Sequence, residues 1–281
     1  MFHIAMTQWI VGDEPLETSC QRLQACGYDG IEFAAEPDRL NVAECLALMD
    51  RYHLNCRSLC GIFGEDRDLT ASGENGEAAV QYLKKSVDFA EKVGAKVIIT
   101  VPSPVGRTSK PKDISMEELK ENAVRNIRTA ADYAWSKGIS LALEAINRYE
   151  TYFANTMKKV YELAGMIDHP GVGVMADLFH MSIEEADIPS GIFMVRDKLL
   201  HVHIADNTRE AAGMGHTDFA SALRMLKNIG YEGSLTMEFM YRLADPYSAT
   251  EISTQTGLMD HYAKQSIDYI RMIERSLVAA E

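Results

Sequence analysis

The chain of 281 residues is short of positive charge: 28 Lys and Arg stand against 41 Asp and Glu, a formal net charge of −13. Such a surface repels phosphate backbones and anionic lipid, which argues against nucleic acid or a membrane as partner unless a local basic patch exists. The nearest approach to one, Lys110-Pro111-Lys112, is ended by Asp113 and reads as a solvated loop. Cysteine is sparse and odd in number. Cys20, Cys26, Cys45, Cys56 and Cys60 contain no CxxC pair and no small-domain framework, so reduced thiols in a cytoplasm are expected. Cys56 and Cys60 stand at strand-like positions and read as small buried hydrophobes, not as nucleophiles. No stretch reaches the roughly 18 apolar residues of a membrane span. The start, Met1-Phe2-His3-Ile4-Ala5-Met6, lacks the cationic region, apolar stretch and cleavage site of a secretory leader. A soluble, unprocessed, cytoplasmic protein is the expectation. Composition shifts, linkers and low-complexity segments are also missing, which points to one domain over residues 1–281.

What is present is alternation. With 47% hydrophobic and 25% charged residues the chain is globular and long enough to bury a large core. Short apolar runs recur at His3 to Ile10, Gly30 to Ala34, Asn55 to Cys60, Lys96 to Val101, Ile139 to Ile146, Gly171 to Met175, Leu199 to Ile204 and Ser234 to Phe239. Each reads as a buried strand. Between them lie stretches with helical spacing, such as Val80, Leu83, Val87, Ala90 and Val93, or Phe219, Leu223, Leu226 and Ile229. Gly27, Gly94, Gly138 and Gly230 stand where helices should end, and Thr156 and Thr217 where helices should begin. Eight strand-helix units over this length predict a single-domain α/β fold, the (β/α)8 TIM barrel. A doubly wound open sheet is disfavoured because Ile10-Val11-Gly12-Asp13 is no glycine-rich first turn.

Carboxylates and an imidazole close four consecutive strands. Leu141-Ala142-Leu143 ends in Glu144, Gly173-Val174-Met175-Ala176 in Asp177, and Leu235-Thr236-Met237 in Glu238, while the seventh strand carries His201-Val202-His203. Active sites of this fold lie at the C-terminal ends of the strands, so these four side chains should meet in one space. Unpaired, they would repel one another strongly, whereas a divalent cation would neutralise them. Oxygen and nitrogen donors without sulfur favour Mn²⁺ or Mg²⁺, with Co²⁺ or Zn²⁺ as alternatives. A lone strand-end acid is more often a helix cap or surface ion pair; four such residues on adjacent strands reverse those odds. His201 shares a face with His203 and reads as a hydrogen-bond partner of a ligand carboxylate or, almost as readily, as a core residue.

The stretches Glu144-Ala145-Ile146-Asn147-Arg148-Tyr149-Glu150 with Asn155-Thr156, Ala176-Asp177-Leu178-Phe179-His180 through Glu184-Glu185, and His201-Val202-His203 through Asp206-Asn207-Thr208-Arg209 closely resemble the D-tagatose 3-epimerase family. That family sits among the xylose-isomerase-like barrels and includes D-psicose (allulose) and L-ribulose 3-epimerases. The resemblance is specific from about Glu144 to Glu238 and architectural before that. It implies that Glu144, Asp177, His203 and Glu238 hold the metal, that Glu144 and Glu238 are the catalytic acid/base pair, and that Glu150, His180 and Arg209 bind the sugar. It also implies a homodimer or homotetramer with a small-molecule sugar substrate. Glu184 and Glu185 match as well, but acidic residues in a first helical turn favour the helix dipole and are read as structural.

One departure is Ala212, where many relatives carry proline before the two glycines of Gly213-Met214-Gly215; those glycines read as a tight turn, not a phosphate cradle. Trp9, Cys60-Gly61-Ile62-Phe63 and Pro102 to Arg107 should line the far end of the pocket, where Arg107 and Lys110 could meet an acidic sugar. The chemistry implied is a ketose bound through its C2 carbonyl and C3 hydroxyl to the metal, deprotonated at C3 to a cis-enediolate and reprotonated on the other face. Aldose-ketose isomerisation, keto-acid epimerisation and inosose isomerisation or dehydration could use the same site, and a sugar-binding protein without catalysis is the other class. An apurinic endonuclease would need further histidines on the earlier strands, where Gly61 and Pro102 stand instead.

Overall fold

The structure, a computed structural model, describes residues 1–241 and 256–279. Eight parallel strands close into a barrel in chain order: β1 (His3–Thr7), β2 (Gly30–Ala34), β3 (Ser58–Cys60), β4 (Val97–Thr100), β5 (Ser140–Glu144), β6 (Val172–Asp177), β7 (Leu199–Ile204) and β8 (Ser234–Met237), with β8 pairing back onto β1. Around it lie α1 (Leu16–Cys26), α2 (Val42–Tyr52), α3 (Gly73–Val93), α4 (Met116–Ser136), α5 (Met157–Ile167), α6 (Leu178–Glu184), α7 (Ile188–Met194), α8 (Phe219–Asn228) and α9 (Thr256–Ala279). The expected single-domain TIM barrel is therefore the observed fold. All eight expected strands are present, several shorter than their apolar runs. The first ends at Thr7 because the chain turns into a short 3₁₀ segment at Trp9–Val11, and the third pairs regularly only from Ser58.

Parity along the strands sorts two cores. Residues such as Ile4, Met6, Ile31, Phe33, Leu141, Leu143, Val202 and Ile204 point outward and pack under the helices in one continuous cluster. Burying each such side chain contributes about 1.5–3 kcal/mol. Their neighbours point inward. On the β3 to β6 side the inward set is apolar, with Cys60, Ile99, Ala142 and Met175 packed together. On the other side it is polar: Thr7, Glu32, Ser58, His201, His203 and Thr236 are all buried.

Local signals behave largely as expected. Gly27, Gly94, Gly138 and Gly230 all take positive φ at helix ends, and Thr156 caps α5 by accepting the Lys159 N–H. Thr217 does not cap α8: Asp218 takes that position and accepts the Ser221 N–H, because a carboxylate one residue later reaches the first turn directly. Glu184 and Glu185 lie at the end of α6, not in its first turn. Glu185 instead accepts the N–H of Met157 at the start of α5, and Glu184 holds Arg148. Glu185 does serve a helix N-terminus, but a neighbour's.

The β6–β7 pairing shifts register between Val174 and Met175, letting Leu200 fold inward while His201 and His203 keep their face. Gly173 makes room for this: a Cβ there would stand 2.4 Å from the Lys198 carbonyl oxygen and 2.6 Å from Leu200 Cγ. Gly173→Ala should therefore destabilise the barrel by about 1–3 kcal/mol, with the melting temperature falling roughly 2–4 °C per kcal/mol. An unchanged melting curve would show that the bulge has slack.

Candidate active site

The ends of β5 to β8 bring the expected quartet together. Ligand atoms of Glu144, Asp177 and His203 lie within 4.8 Å of one another. Glu238 Oε2 lies 3.0 Å from His203 Nδ1. All four residues are buried. Glu144 and Glu238 line the floor of a cavity of about 710 Å³, with Asp177 and His203 just beneath them, and its walls include Trp9, Cys60 to Phe63, Val105, Ile146, Tyr149, Glu150, His180 and Arg209. Every residue singled out from sequence as metal- or sugar-binding is thus at or beside one cavity.

Asp177 serves two structures at once. It is the N-cap of α6, its Oδ1 accepting the N–H groups of Phe179 (2.7 Å) and His180 (3.3 Å), while Oδ2 turns into the site and takes Arg209 Nη1 at 2.8 Å. Capping fixes the carboxylate and places His180 on the first turn of the helix beside it. The backbone N–H of Asn147 and its side-chain amide both face His180 Nδ1, the latter at 2.8 Å, so Nδ1 accepts and Nε2 carries the proton. That Nε2 stands 3.8 Å from Glu144 and 3.7 Å from Asp177. Burial lowers the His180 pKa, leaving a neutral donor aimed at the cavity floor. Asn147 also donates to Glu150 at 2.7 Å.

Glu238 is held from two sides, by the Trp9 indole N–H on Oε1 (2.8 Å) and Arg209 Nη2 on Oε2 (2.5 Å). Arg209 therefore bridges Asp177 and Glu238, its guanidinium 4.5 Å from the centre of the Phe179 ring. Its backbone has φ 63°. It lies in a loop tied together by Asp206, whose carboxylate accepts the backbone N–H groups of Asn207, Gly213, Gly215 and Thr217. The two glycines thus spend their amides on Asp206, so no phosphate cradle forms. Arg107 is paired with Asp68 at 2.5 Å and Lys110 bonds backbone carbonyls of its own loop, so neither is poised for an acidic sugar.

Electrostatics tests whether a cation fits. Burial and then the Glu238 charge push the Glu144 carboxyl well above the usual range, while Arg209, working against burial, holds Asp177 below it. Burial opposes a charged His203, but Glu238 and Glu32 outweigh it and raise the ring well above its ordinary value. His203 Nδ1 and the Glu238 oxygen approach to 3.0 Å without lining up, and Nδ1 makes no hydrogen bond. A ring nitrogen beside one carboxylate, with oxygens of two more within 4.8 Å of the imidazole, fits a cation-binding donor set.

Glu32 is the site residue that sequence reasoning missed. Its Oε1 accepts the His203 Nε2–H at 3.0 Å, and its Oε2 takes the Ser58 hydroxyl and lies 2.9 Å from His201 Nε2. His201 thus meets Glu32 and not one of the expected ligand carboxylates. The available signal was a lone carboxylate inside the apolar run Gly30-Ile31-Glu32-Phe33-Ala34.

A family model described as xylose isomerase-like TIM barrel matches residues 20–271. The chain belongs to that family. Its relatives include an L-ribulose 3-epimerase from Methylomonas sp. (strain DH-1), 29% identical over 257 residues and covering 87% of each chain. Another, 3-dehydro-D-guloside 4-epimerase from Escherichia coli (strain K12), is 27% identical over 241 residues, 81% of this chain and 88% of that one. The crystal structure of D-allulose 3-epimerase from Methylomonas sp. in complex with D-allulose matches with a TM-score of 0.82 at 26% identity, over 96% of both chains. Ketose 3-epimerases recur among the relatives of this xylose isomerase-like barrel, as the sequence resemblance implied. Among the described residues no helix is long and apolar enough to cross a membrane.

The Asp206 loop gives this member of the family a measurable handle. Asp206→Asn leaves at most one acceptor oxygen for four N–H groups, and each lost bond to a charged acceptor is worth about 1.5–3 kcal/mol. Amide exchange at Gly213, Gly215 and Thr217 should accelerate at least roughly tenfold. Exchange as slow as in the native chain would show that the loop is held by something other than Asp206.

Proposed function

We propose that this chain is a divalent-metal-dependent ketose 3-epimerase acting on a free ketose or keto-sugar derivative. The observation that carries the reading is the cavity floor, where the carboxylates of Glu144, Asp177 and Glu238 converge on a His203 nitrogen that makes no hydrogen bond. Glu144, Asp177, His203 and Glu238 would hold the ion. The oxygen-rich set without sulfur suits Mn²⁺ first, then Mg²⁺, Co²⁺ or Zn²⁺. Such an ion supplies Lewis acidity, polarising the substrate carbonyl so that the proton on the adjoining carbon becomes removable.

The remaining work falls to side chains. Inversion at C3 needs a proton acceptor on one face of the substrate and a donor on the other. Glu144 and Glu238, from β5 and β8, are assigned that pair: one carboxylate accepts the C3 proton and the other carboxyl returns one to the opposite face. The Trp9 indole restrains Glu238 Oε1, so that carboxylate is oriented before substrate arrives. His180 offers its Nε2–H to a substrate oxygen, and Glu150 and Arg209 flank the same space. Two 3-epimerases, one described with D-allulose bound, support the choice of C3. On the same resemblance we assign a cytoplasmic homodimer or homotetramer.

A second reading has its own support, since a relative is named a 3-dehydro-D-guloside 4-epimerase. The carbon inverted would then be C4, next to a C3 carbonyl. Turnover in D₂O separates the two. A ketose product should carry deuterium at C3 only; label at C4 of a 3-keto-sugar supports the second reading, label at C1 or C2 aldose-ketose isomerisation, and water loss a dehydratase. No turnover of any ketose, keto-acid or inosose would favour a binding protein.

Two variant sets check the assignments. Glu144→Gln and Glu238→Gln should each lower turnover at saturating Mn²⁺ by roughly 100- to 10,000-fold, the usual weight of a general acid or base; near-native turnover in either removes it from the pair. Elemental analysis should find one metal ion per chain in the native protein and most of it lost in Asp177→Asn and His203→Ala. Unchanged metal content in both would overturn the site.

A further inference from the structure

We propose that Glu32 is a positioning residue that acts through His203, fixing which ring nitrogen faces the cavity floor. The inference rests on the metal-site reading above. Glu32 lies in the barrel interior with 0% exposure. An isolated carboxylate there is costly, and an apolar residue of similar volume would be neutral or stabilising, so stability does not explain it. Its contacts do. Oε1 accepts the Nε2–H of His203 at 3.0 Å, which leaves Nδ1 as the nitrogen turned toward Glu238, in an imidazole that Glu144 and Asp177 approach within 4.8 Å. Only a nitrogen without a proton can donate a lone pair to a cation, and a ring in the other tautomer would present N–H there.

Three further contacts hold Glu32 and the ring in place. The Ser58 hydroxyl donates to Oε2, so the carboxylate cannot rotate away from His203. His201 Nε2 approaches the same oxygen at 2.9 Å. The His201 ring packs edge-on against His203, with centroids 5.1 Å apart and planes at 80°, which blocks a ring flip. These groups come from β2, β3 and β7, so the orientation of His203 is set by strands other than the two that carry the acid/base pair. Glu32, His201 and His203 also have ligand atoms within 4.8 Å of one another. A second cation held by them is the competing account, and the experiment decides between the two.

The test is Mn²⁺ titration calorimetry on the metal-stripped full chain. Glu32→Gln keeps one acceptor and should weaken binding roughly tenfold, and Glu32→Leu approaches a hundredfold, the range for removing such a partner. Stoichiometry should stay at one ion. In a His203→Ala background Glu32→Leu should add nothing, because a residue acting through His203 has no further effect once the ring is gone. Native affinity in both Glu32 variants, full additivity with His203→Ala, or a fall from two ions to one would each overturn the proposal. Ring ¹⁵N NMR of the native chain with and without Mg²⁺ needs no variant and no activity: His203 should keep its proton on Nε2 in both. A proton on Nδ1 with Nε2 bare would overturn it. If the native chain binds no metal but shows Nε2–H, the metal reading fails while Glu32 still sets the tautomer.

Discussion

Everything at the open end of this barrel answers to one constraint: three carboxylates are gathered around one imidazole in a buried space, two of them, Glu144 and Asp177, with oxygens within 4.8 Å of each other. Parity along β5, β6 and β8 leaves Glu144, Asp177 and Glu238 no other direction, since their outward neighbours Leu143, Ala176 and Met237 are committed to the core beneath the helices. Like charges at such separations cost several kcal/mol even at an effective dielectric of about 20. The protein distributes the compensation. Arg209 spans Asp177 and Glu238, the α6 N-terminus faces Asp177, the Trp9 indole faces Glu238, and His203 lies between Glu238 and Glu32. Glu144 receives least of this and has its carboxyl pushed up well above the ordinary range, by burial first and by Glu238 next. A cation at the floor would complete the balance.

The same constraint explains why so few residues do so much. Asp177 caps a helix with one oxygen and enters the site with the other, so its geometry is set by backbone amides and not by side-chain packing. Arg209 has a positive φ, unusual for a residue with a side chain, and sits in a loop held by four amides gathered on Asp206. Both arrangements place charge with backbone dipoles, which cannot rotate away.

Much of this was legible in sequence because it follows periodicity. Strands buried on both faces read as apolar runs, and a polar residue ending such a run marks the open end of the barrel; that logic reached Glu144, Asp177, His203 and Glu238. The motif resemblance added Glu150, His180 and Arg209. Glu32 escaped because it lies within a strand instead of at its end, and nothing local says whether such a carboxylate faces water or a histidine across the barrel. The His201 partner was misjudged for the same reason, since it depends on β2 and β7 facing each other through the interior. Thr217 against Asp218 was decided by one residue of helix phase, below what capping preferences resolve.

The cavity divides the chemistry from the choice of substrate. Its floor carries the charged groups, while Trp9, Ile62, Phe63, Val105, Ile146 and Tyr149 form walls that are largely apolar. Proton transfer beside a carbonyl depends only on which carbon lies over the carboxylates, and the floor is blind to what extends beyond it. On the proposed reading the walls set that register, apolar side chains by shape and Glu150, His180 and Arg209 by hydrogen bonds. Relatives named for epimerisation at C3 and at C4 fit this division, since moving a carbonyl and its neighbouring carbon by one position leaves the demands on the floor unchanged. On the proposed reading, then, the reaction type is carried by strand-end residues that the barrel itself holds in place. Substrate identity is carried by the loops after β1, β3, β4 and β5, where the chain is free to vary without disturbing the charge balance beneath.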